Sequence, residues 1–350
     1  MKRFFGACLL GLSVLCGASA VSAETIAEFY KGKVVRIVVG TSAGGGYDLY
    51  ARVVARHLNR LLPGAPTIIV ENLPGAGGLK AANDIYNVRP QDGTVILAPQ
   101  ADTLFAQIAG DPGAQFDSSK FHWLGSLNQE AGIAFTWHTS KVKTFDDLLK
   151  TEAIFGSSGP NVTGQLSSVL MNMFGAKIRQ VAGYESVPRM YPAVEAGEIE
   201  GMTTLWSSLA VTVPQWLKEN RINKIVQFAL TRQSDLPNTP LIMDLLTERY
   251  LTPGYSPAEA RTIMQFLMAQ QAMARPFGVG PGVPADRVEA LRAAFATLVK
   301  DGEFRADAEK AKRDIDFMDG PAVQTLVQEA SRTPKETLRK IAIVSSPPAK

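Results

Sequence analysis

The chain has 350 residues, 46% of them hydrophobic and 20% charged, with 36 Lys+Arg against 33 Asp+Glu. Such a composition buries a core and excludes intrinsic disorder, and a formal net charge of +3 without a Lys/Arg block excludes an electrostatic footprint for nucleic acid or anionic membrane. The length exceeds the roughly 250–300 residues that a single core supports, which implies two domains or lobes.

Residues 1–23 have the grammar of an export signal. Lys2 and Arg3 precede an apolar run from Phe4 to Cys16, and small residues end in Val21-Ser22-Ala23. Cleavage is expected after Ala23, and a lipid anchor at Cys16 is disfavoured by bulky Leu15 before it. Cys8 and Cys16 both fall in this segment, so the mature chain has neither a disulfide nor a cysteine nucleophile. Its 34 basic and 33 acidic residues leave it nearly neutral, and no later run approaches the length of a membrane span.

The first element is the β-branched run Val34 to Val39, which reads as a strand buried on both faces. It enters Gly40-Thr41-Ser42-Ala43-Gly44-Gly45-Gly46-Tyr47-Asp48 and then an amphipathic helix carrying Leu49, Val53, Val54 and Leu58. The unit recurs as a strand from Thr67 to Val70, a loop Glu71-Asn72-Leu73-Pro74-Gly75-Ala76-Gly77-Gly78, and a helix from Leu79 to Tyr86. A third strand is expected from Thr94 to Ala98. A second α/β unit follows, with strand Ile133 to Trp137, helix Phe145 to Lys150, strand Ala153 to Phe155, loop Gly156 to Gly164, and helix Gln165 to Phe174. After a strand from Ile225 to Leu230 come helices over Pro257 to Ala274 and Asp286 to Val299. Alternation of β and α at this spacing predicts an α/β fold with doubly wound sheets, in which ligands gather at the carboxyl ends of the strands. The predicted division is lobe one over 24–125 and 231–350 and lobe two over 126–230, joined by crossing strands.

Enzyme signatures are sparse. The three histidines, His57, His122 and His138, have no metal-ligand spacing, and no nucleoside-triphosphate loop of the GxxxxGK[ST] type occurs. Neither glycine loop is a dinucleotide fingerprint, because Leu49 and Lys80 stand where a third glycine is required. No cofactor and no metal are therefore expected. The glycines either permit tight turns only, or let the backbone approach an anion at the following helix N-terminus. Two such loops side by side, with a third across at Ser157, Ser158, Asn161 and Thr163, favour a carboxylate-sized nest.

Val38 to Arg52, Val70 to Gly78 and Pro90 to Leu97 resemble the N-terminal blocks of the tripartite tricarboxylate transporter receptor family, the Bug-type extracytoplasmic solute-binding proteins. Phe121-His122-Trp123-Leu124-Gly125, Gly183-Tyr184-Glu185, Glu195 to Glu200 and Leu236 to Pro240 extend the likeness over the mature chain. The resemblance implies a two-lobed type II periplasmic-binding-protein fold that closes on a small organic acid and delivers it to a two-subunit membrane permease. It implies a non-enzymatic, periplasmic monomer. Carried over by motif, the contacts fall on Thr41, Ser42, Gly44, Gly45 and Gly46, and on Asn72, Gly75, Ala76, Gly77 and Gly78. Those of lobe two fall on Ser157, Ser158, Asn161, Thr163, Tyr184 and the stretch after Gly201. The chain departs from the family pattern at Gly40 to Ala43, where Pro-Phe-x-Pro is usual, at Leu73 in place of Arg, and at Glu200 in place of Asp.

Three further residues have two readings each. Asp48 either meets a ligand amine or complements the helix dipole, while Tyr184 and Trp206 either wall the pocket or belong to the core. Two other functions are weighed: a periplasmic sensor that presents its ligand to a signalling kinase, and a secreted hydrolase or isomerase using Asp48 with Glu71.

Overall fold

The structure is a computed structural model that describes residues 24–159 and 162–348. The export segment with Cys8 and Cys16, together with Asn161, lies outside the described residues.

The chain opens with α1 (Ile26–Tyr30), fixed by a capping box in which Thr25 and Glu28 satisfy each other's backbone amides. There follow β1 (Val34–Val39), α2 (Gly46–Leu58), β2 (Thr67–Asn72), α3 (Leu79–Asn87), β3 (Val95–Ala98), α4 (Ala101–Ile108) and β4 (His122–Ser126). The second unit comprises β5 (Gly132–Trp137), α5 (Phe145–Leu148), β6 (Ala153–Ser157), α6 (Val162–Phe174), β7 (Ile178–Ala182), α7 (Val187–Glu195), β8 (Gly201–Leu205), α8 (Trp206–Thr212), α9 (Pro214–Lys218) and β9 (Ile222–Phe228). The chain closes with α10 (Pro257–Ala272), β10 (Pro276–Val279), α11 (Ala285–Leu298), α12 (Gly302–Lys310), β11 (Met318–Asp319), α13 (Gly320–Ser331) and α14 (Lys335–Val344).

Two sheets form. One has the order β11-β4-β10-β3-β1-β2 and the other β7-β6-β8-β5-β9. In the first, β1 pairs in parallel with β2 and β3, with Val39 opposite both Asn72 and Ala98, so the three carboxyl ends are flush. Val35, Ile37 and Val39 enter one core cluster with α2 and α11, whereas Val38 enters the other with α3 and α4. The two-residue period of the strand thus feeds two cores at once over its second half, while Val34 and Arg36 at its start stay exposed. Each sheet is mixed: β10 and β11 run antiparallel in the first, as does β5 against β8 and β9 in the second.

The sheets are joined by two crossing segments, 127–131 and 271–275, hydrogen-bonded to each other. Leu127 N donates to Arg275 O (3.0 Å), Ala274 N to Asn128 O (3.1 Å) and Glu130 N to Gln271 O (2.8 Å). Side chains crowd the start of β5, where a Cβ on Gly132 would lie 2.5 Å from Leu166 Cδ1 and 3.1 Å from Phe228 Cβ. Among the described residues, no helix is long and apolar enough to cross a membrane.

Several elements differ from the sequence expectation. β2 is two residues longer than the alternation implied, because Glu71 and Asn72 continue the ladder against Val38 and Val39. α6 begins at Val162, three residues before the apolar periodicity becomes visible.

Candidate functional site

The flush ends of β1, β2 and β3 set three helix N-termini side by side, those of α2, α3 and α4. Two follow the glycine loops expected from the sequence; the third, after Gln100, carries no glycine signal and was passed over. α2 starts from Gly45, which has extended geometry, and the turn before it is held by Asp48. Asp48 is 1% exposed and accepts from Gly44 N (2.8 Å), Arg52 Nε (2.8 Å) and Asn72 Nδ2 (2.9 Å). Burial opposes its ionisation, but those three donors outweigh it and hold the carboxyl below the usual carboxylate range. Asn72 also donates to Thr41 O (3.0 Å) and accepts from Arg52 Nη2 (3.1 Å), which ties the two glycine loops together.

Asp48 is therefore saturated within the fold. A lowered folded-state pKa contributes stability above the ordinary Asp range, and that contribution is lost as pH falls through the folded value. Asp48→Asn is expected to lower stability by about 2 kcal/mol at neutral pH, the scale of a buried bond to a charged group, and to lose less stability than the parent chain on acidification. Urea denaturation at pH 7 and pH 3 measures both effects.

The second loop is conformationally unusual: Gly75, Ala76, Gly77 and Gly78 all have positive φ, at 145°, 48°, 61° and 92°. This run turns the chain from β2 into α3, while Thr103 Oγ1 donates to Gly77 O (2.6 Å) and binds the loop to α4. A Cβ at Gly78 would lie 2.6 Å from Thr103 Oγ1 and 3.0 Å from Gln100 Oε1. Gly78→Ala is expected to destabilise the chain by more than the roughly 1–2 kcal/mol of the left-handed backbone alone, read as a fall in the denaturation midpoint.

A cavity of about 300 Å³ lies between the sheets, within the size range of small-molecule sites. It is lined from the first sheet by Tyr47, Gln100, Ala101 and Asp102, and from the second by Val162 and Leu205. The crossing segments and the end of α10 contribute Glu130, Gln270, Gln271, Ala274 and Arg275. The Arg275 guanidinium sits over the rings of Tyr47 (4.6 Å) and Tyr50 (5.3 Å), and Nη1 donates to Ala274 O (2.7 Å). Nη2 is 4.0 Å from Glu130 Oε1 and 3.8 Å from where a methyl on Gly46 would stand. Glu130 accepts from Ser207 Oγ (2.6 Å) and Asn128 Nδ2 (3.2 Å). Burial pushes its carboxyl up, against the Ser207 bond and the Arg275 charge. Burial likewise pushes the Tyr50 phenol up to about 12.

Among the described residues, Leu205 in the stretch after Gly201 lines this cavity, while the other residues singled out in the sequence do so only through chain neighbours. Tyr47 stands between Gly46 and Asp48, Val162 precedes Thr163, and Leu205 precedes Trp206. Ser42, Gly44 and Gly45 are exposed, whereas the buried Thr41 Oγ1 has no hydrogen-bond partner among the described residues. In the second unit, Ser157 Oγ donates to Gly159 O (3.3 Å), and Thr163 Oγ1 accepts from Ser158 N (3.0 Å). Tyr184 packs half-buried beside the core of the second sheet. Trp206 lines a separate hollow of about 500 Å³, with Glu130 shared between the two. Sequence reasoning missed Arg275, Glu130, Gln271 and Gln100; lone polar residues in a loop or at a helix end carry no spacing signal.

Gly40-Thr41-Ser42-Ala43-Gly44 has the spacing of a hydrolase nucleophile elbow, but the histidines are engaged elsewhere. His57 is paired with Asp307 (2.9 Å), His122 with Pro281 O (3.1 Å), and His138 stacks on Trp137. The Asp48 and Glu71 pair is not a free acid and base. Arg89 grips Glu71 at both oxygens (2.6 and 3.1 Å) and holds its carboxyl below the ordinary range.

Two α/β units, each with a mixed sheet, joined by paired crossing segments that face a shared cavity, define the periplasmic-binding-protein architecture. Similarity to solved structures narrows this to the fold of the TctC and Bug-type solute-binding proteins, as the glycine blocks implied. A TctC solute-binding protein from Polaromonas has TM-score 0.70 at 17% identity, over 89% of this chain and 99% of that one. A Rhodopseudomonas palustris protein with adipate has TM-score 0.53 at 17% identity, over 89% and 97%. MatC of the same organism, with bound malate, has TM-score 0.51 at 18% identity, over 87% and 99%. In sequence, a UPF0065 protein of Cupriavidus necator is 24% identical over 244 residues, 65% of this chain and 69% of that protein. One of Bordetella bronchiseptica is 23% identical over 275 residues, 73% and 77% respectively. No family model matches the chain.

Proposed function

We propose that the chain is a non-enzymatic, periplasmic solute-binding receptor that captures a small organic acid between two lobes and hands it to a two-subunit tripartite tricarboxylate-type permease. The carrying observation is the placement of the Arg275 guanidinium beside Gly46, in a cavity that α2 and α4 enter by their N-termini. Helix-terminal amides and a guanidinium held by aromatic faces together suit one carboxylate. The glycine loops at Thr41 to Gly46 and Asn72 to Gly78 shape the wall behind it, and lobe two closes with Val162 and Leu205. In this reading lobe one is 24–125 with 231–350, lobe two is 126–230, and the paired segments at 127–131 and 271–275 are the hinge. The adipate and malate of the two Rhodopseudomonas proteins support a carboxylate, and the grammar of residues 1–23 supports export.

The test is a thermal-shift screen of the chain from Glu24 against mono-, di- and tricarboxylates, aromatic acids and amino acids. An acid at 100 times its Kd should add about 2.7 kcal/mol, a midpoint rise of a few degrees. If none raises the midpoint of folded, ligand-free protein, the carboxylate assignment fails. Uptake of the best acid by cells lacking this chain then tests delivery; unchanged uptake removes the transport role.

A further inference from the structure

We infer that the acid this site selects carries a protonated amine, so that the ligand is a zwitterion rather than a plain mono- or dicarboxylate; this rests on the receptor reading above. The balance of charge in the cavity points that way. Its charged lining residues are Arg275, Glu130 and Asp102, one cation against two carboxylates. An anionic ligand with more than one carboxylate would place its second charge among like charges, with a single guanidinium already committed to the first.

The second observation is a pair of orphaned polar atoms of opposite kind. Arg275 Nε is a buried donor without a partner, and Gln271 Oε1 is a buried acceptor without one, among the described residues. Gln271 is 9% exposed and lines the same cavity from the last turn of α10. Buried groups of this kind cost stability unless a partner arrives, and a matched ligand must bring one acceptor and one donor. A carboxylate supplies the acceptor. An ammonium supplies up to three donors, and unlike a hydroxyl it also brings a positive charge to the carboxylate of Glu130, which stands on the crossing segment paired with Gln271.

Gln271 and Glu130 are thus read as the residues that set specificity, with Arg275 as the anchor. Because Glu130 N bonds Gln271 O across the hinge, an amine held between their side chains would also brace the two crossing segments against each other.

Calorimetry on the purified chain with acids matched in carbon skeleton tests this: alanine, lactate and propionate; glutamate, 2-hydroxyglutarate and glutarate; phenylalanine, phenyllactate and phenylpropionate. In at least one set the amine is expected to bind tenfold or more tightly than both partners. Glu130→Gln and Gln271→Met should each erode that preference tenfold, while leaving the weaker hydroxy and unsubstituted acids within about threefold of their original affinity; circular dichroism checks that both variants fold. If an unsubstituted or hydroxy acid binds as tightly as its amine in every set, or the preference survives both substitutions, the zwitterion inference falls while the receptor reading stands. If none of the nine compounds binds, the inference falls, and the wider acid screen above decides the receptor reading separately.

Discussion

Replacing Arg275 by methionine is expected to weaken binding of the best acid by roughly 10- to 100-fold, the range set by loss of about 1.5–3 kcal/mol for a buried bond to a charged group. Methionine keeps an unbranched apolar side chain but removes the charge together with the guanidinium that sits over Tyr47 and Tyr50, so the loss reports the cation and its ring contacts. The same change removes a cation that favours the ionised form of Glu130, so that carboxyl rises further toward neutrality. The double variant Arg275→Met with Glu130→Gln separates the two consequences. It should bind the unsubstituted acids as weakly as the single variant, lose the amine preference as well, and show less pH dependence of its midpoint. Calorimetry on both variants decides the matter, and wild-type affinity in the single variant would remove Arg275 from the site.

Gly77→Val is expected to abolish acid binding while the chain still folds with a midpoint only a few degrees lower. Gly77 has φ 61° and ψ 27°, and no atom lies within 4 Å of where its Cβ would stand. The substitution therefore costs roughly 1–2 kcal/mol of backbone strain without a clash. The added bulk stands at the loop that Thr103 couples to α4, whose first residues line the cavity. Gly78→Val meets Thr103 and Gln100 directly and should damage the fold as well, so Gly77 is the cleaner probe. Gly45→Val, at φ −75° with its nearest foreign atom at 3.5 Å, should be accommodated and act through steric bulk alone. Normal affinity in Gly77→Val would mean that the second glycine loop only turns the chain.

Much of the fold was readable because its signals are local. A β-branched run followed by glycines and an amphipathic helix has one economical solution, and repeating it produces parallel strands with their carboxyl ends together. The elements that were not read have weak local patterns. β10 is four residues long and β11 two; β10 is a strand because it fits between β3 and β4, and β11 because β4 is there to pair with. The antiparallel strands β5 and β9 complete their sheet through long-range register, which no window of sequence contains.

The site divides in the same way. Glycines at Gly44, Gly75, Gly77 and Gly78 were visible because positive φ at a strand-to-helix turn demands them, and the sequence alone determined those turns. Asp48 had two readings by position, ligand contact or helix-dipole complement, and only the packed structure shows it consumed by Gly44, Arg52 and Asn72. Arg275 lies far along the chain from Gly46, and Glu130 meets Gln271 only where the chain crosses between sheets a second time. A charge in a cavity acquires its meaning from what is buried around it, and burial is a property of the assembled chain. The sequence determined the lobes' local units and the glycine turns because those obey near-neighbour sterics and periodicity; tertiary structure alone decided which cation, which carboxylate and which orphaned amide share one cavity.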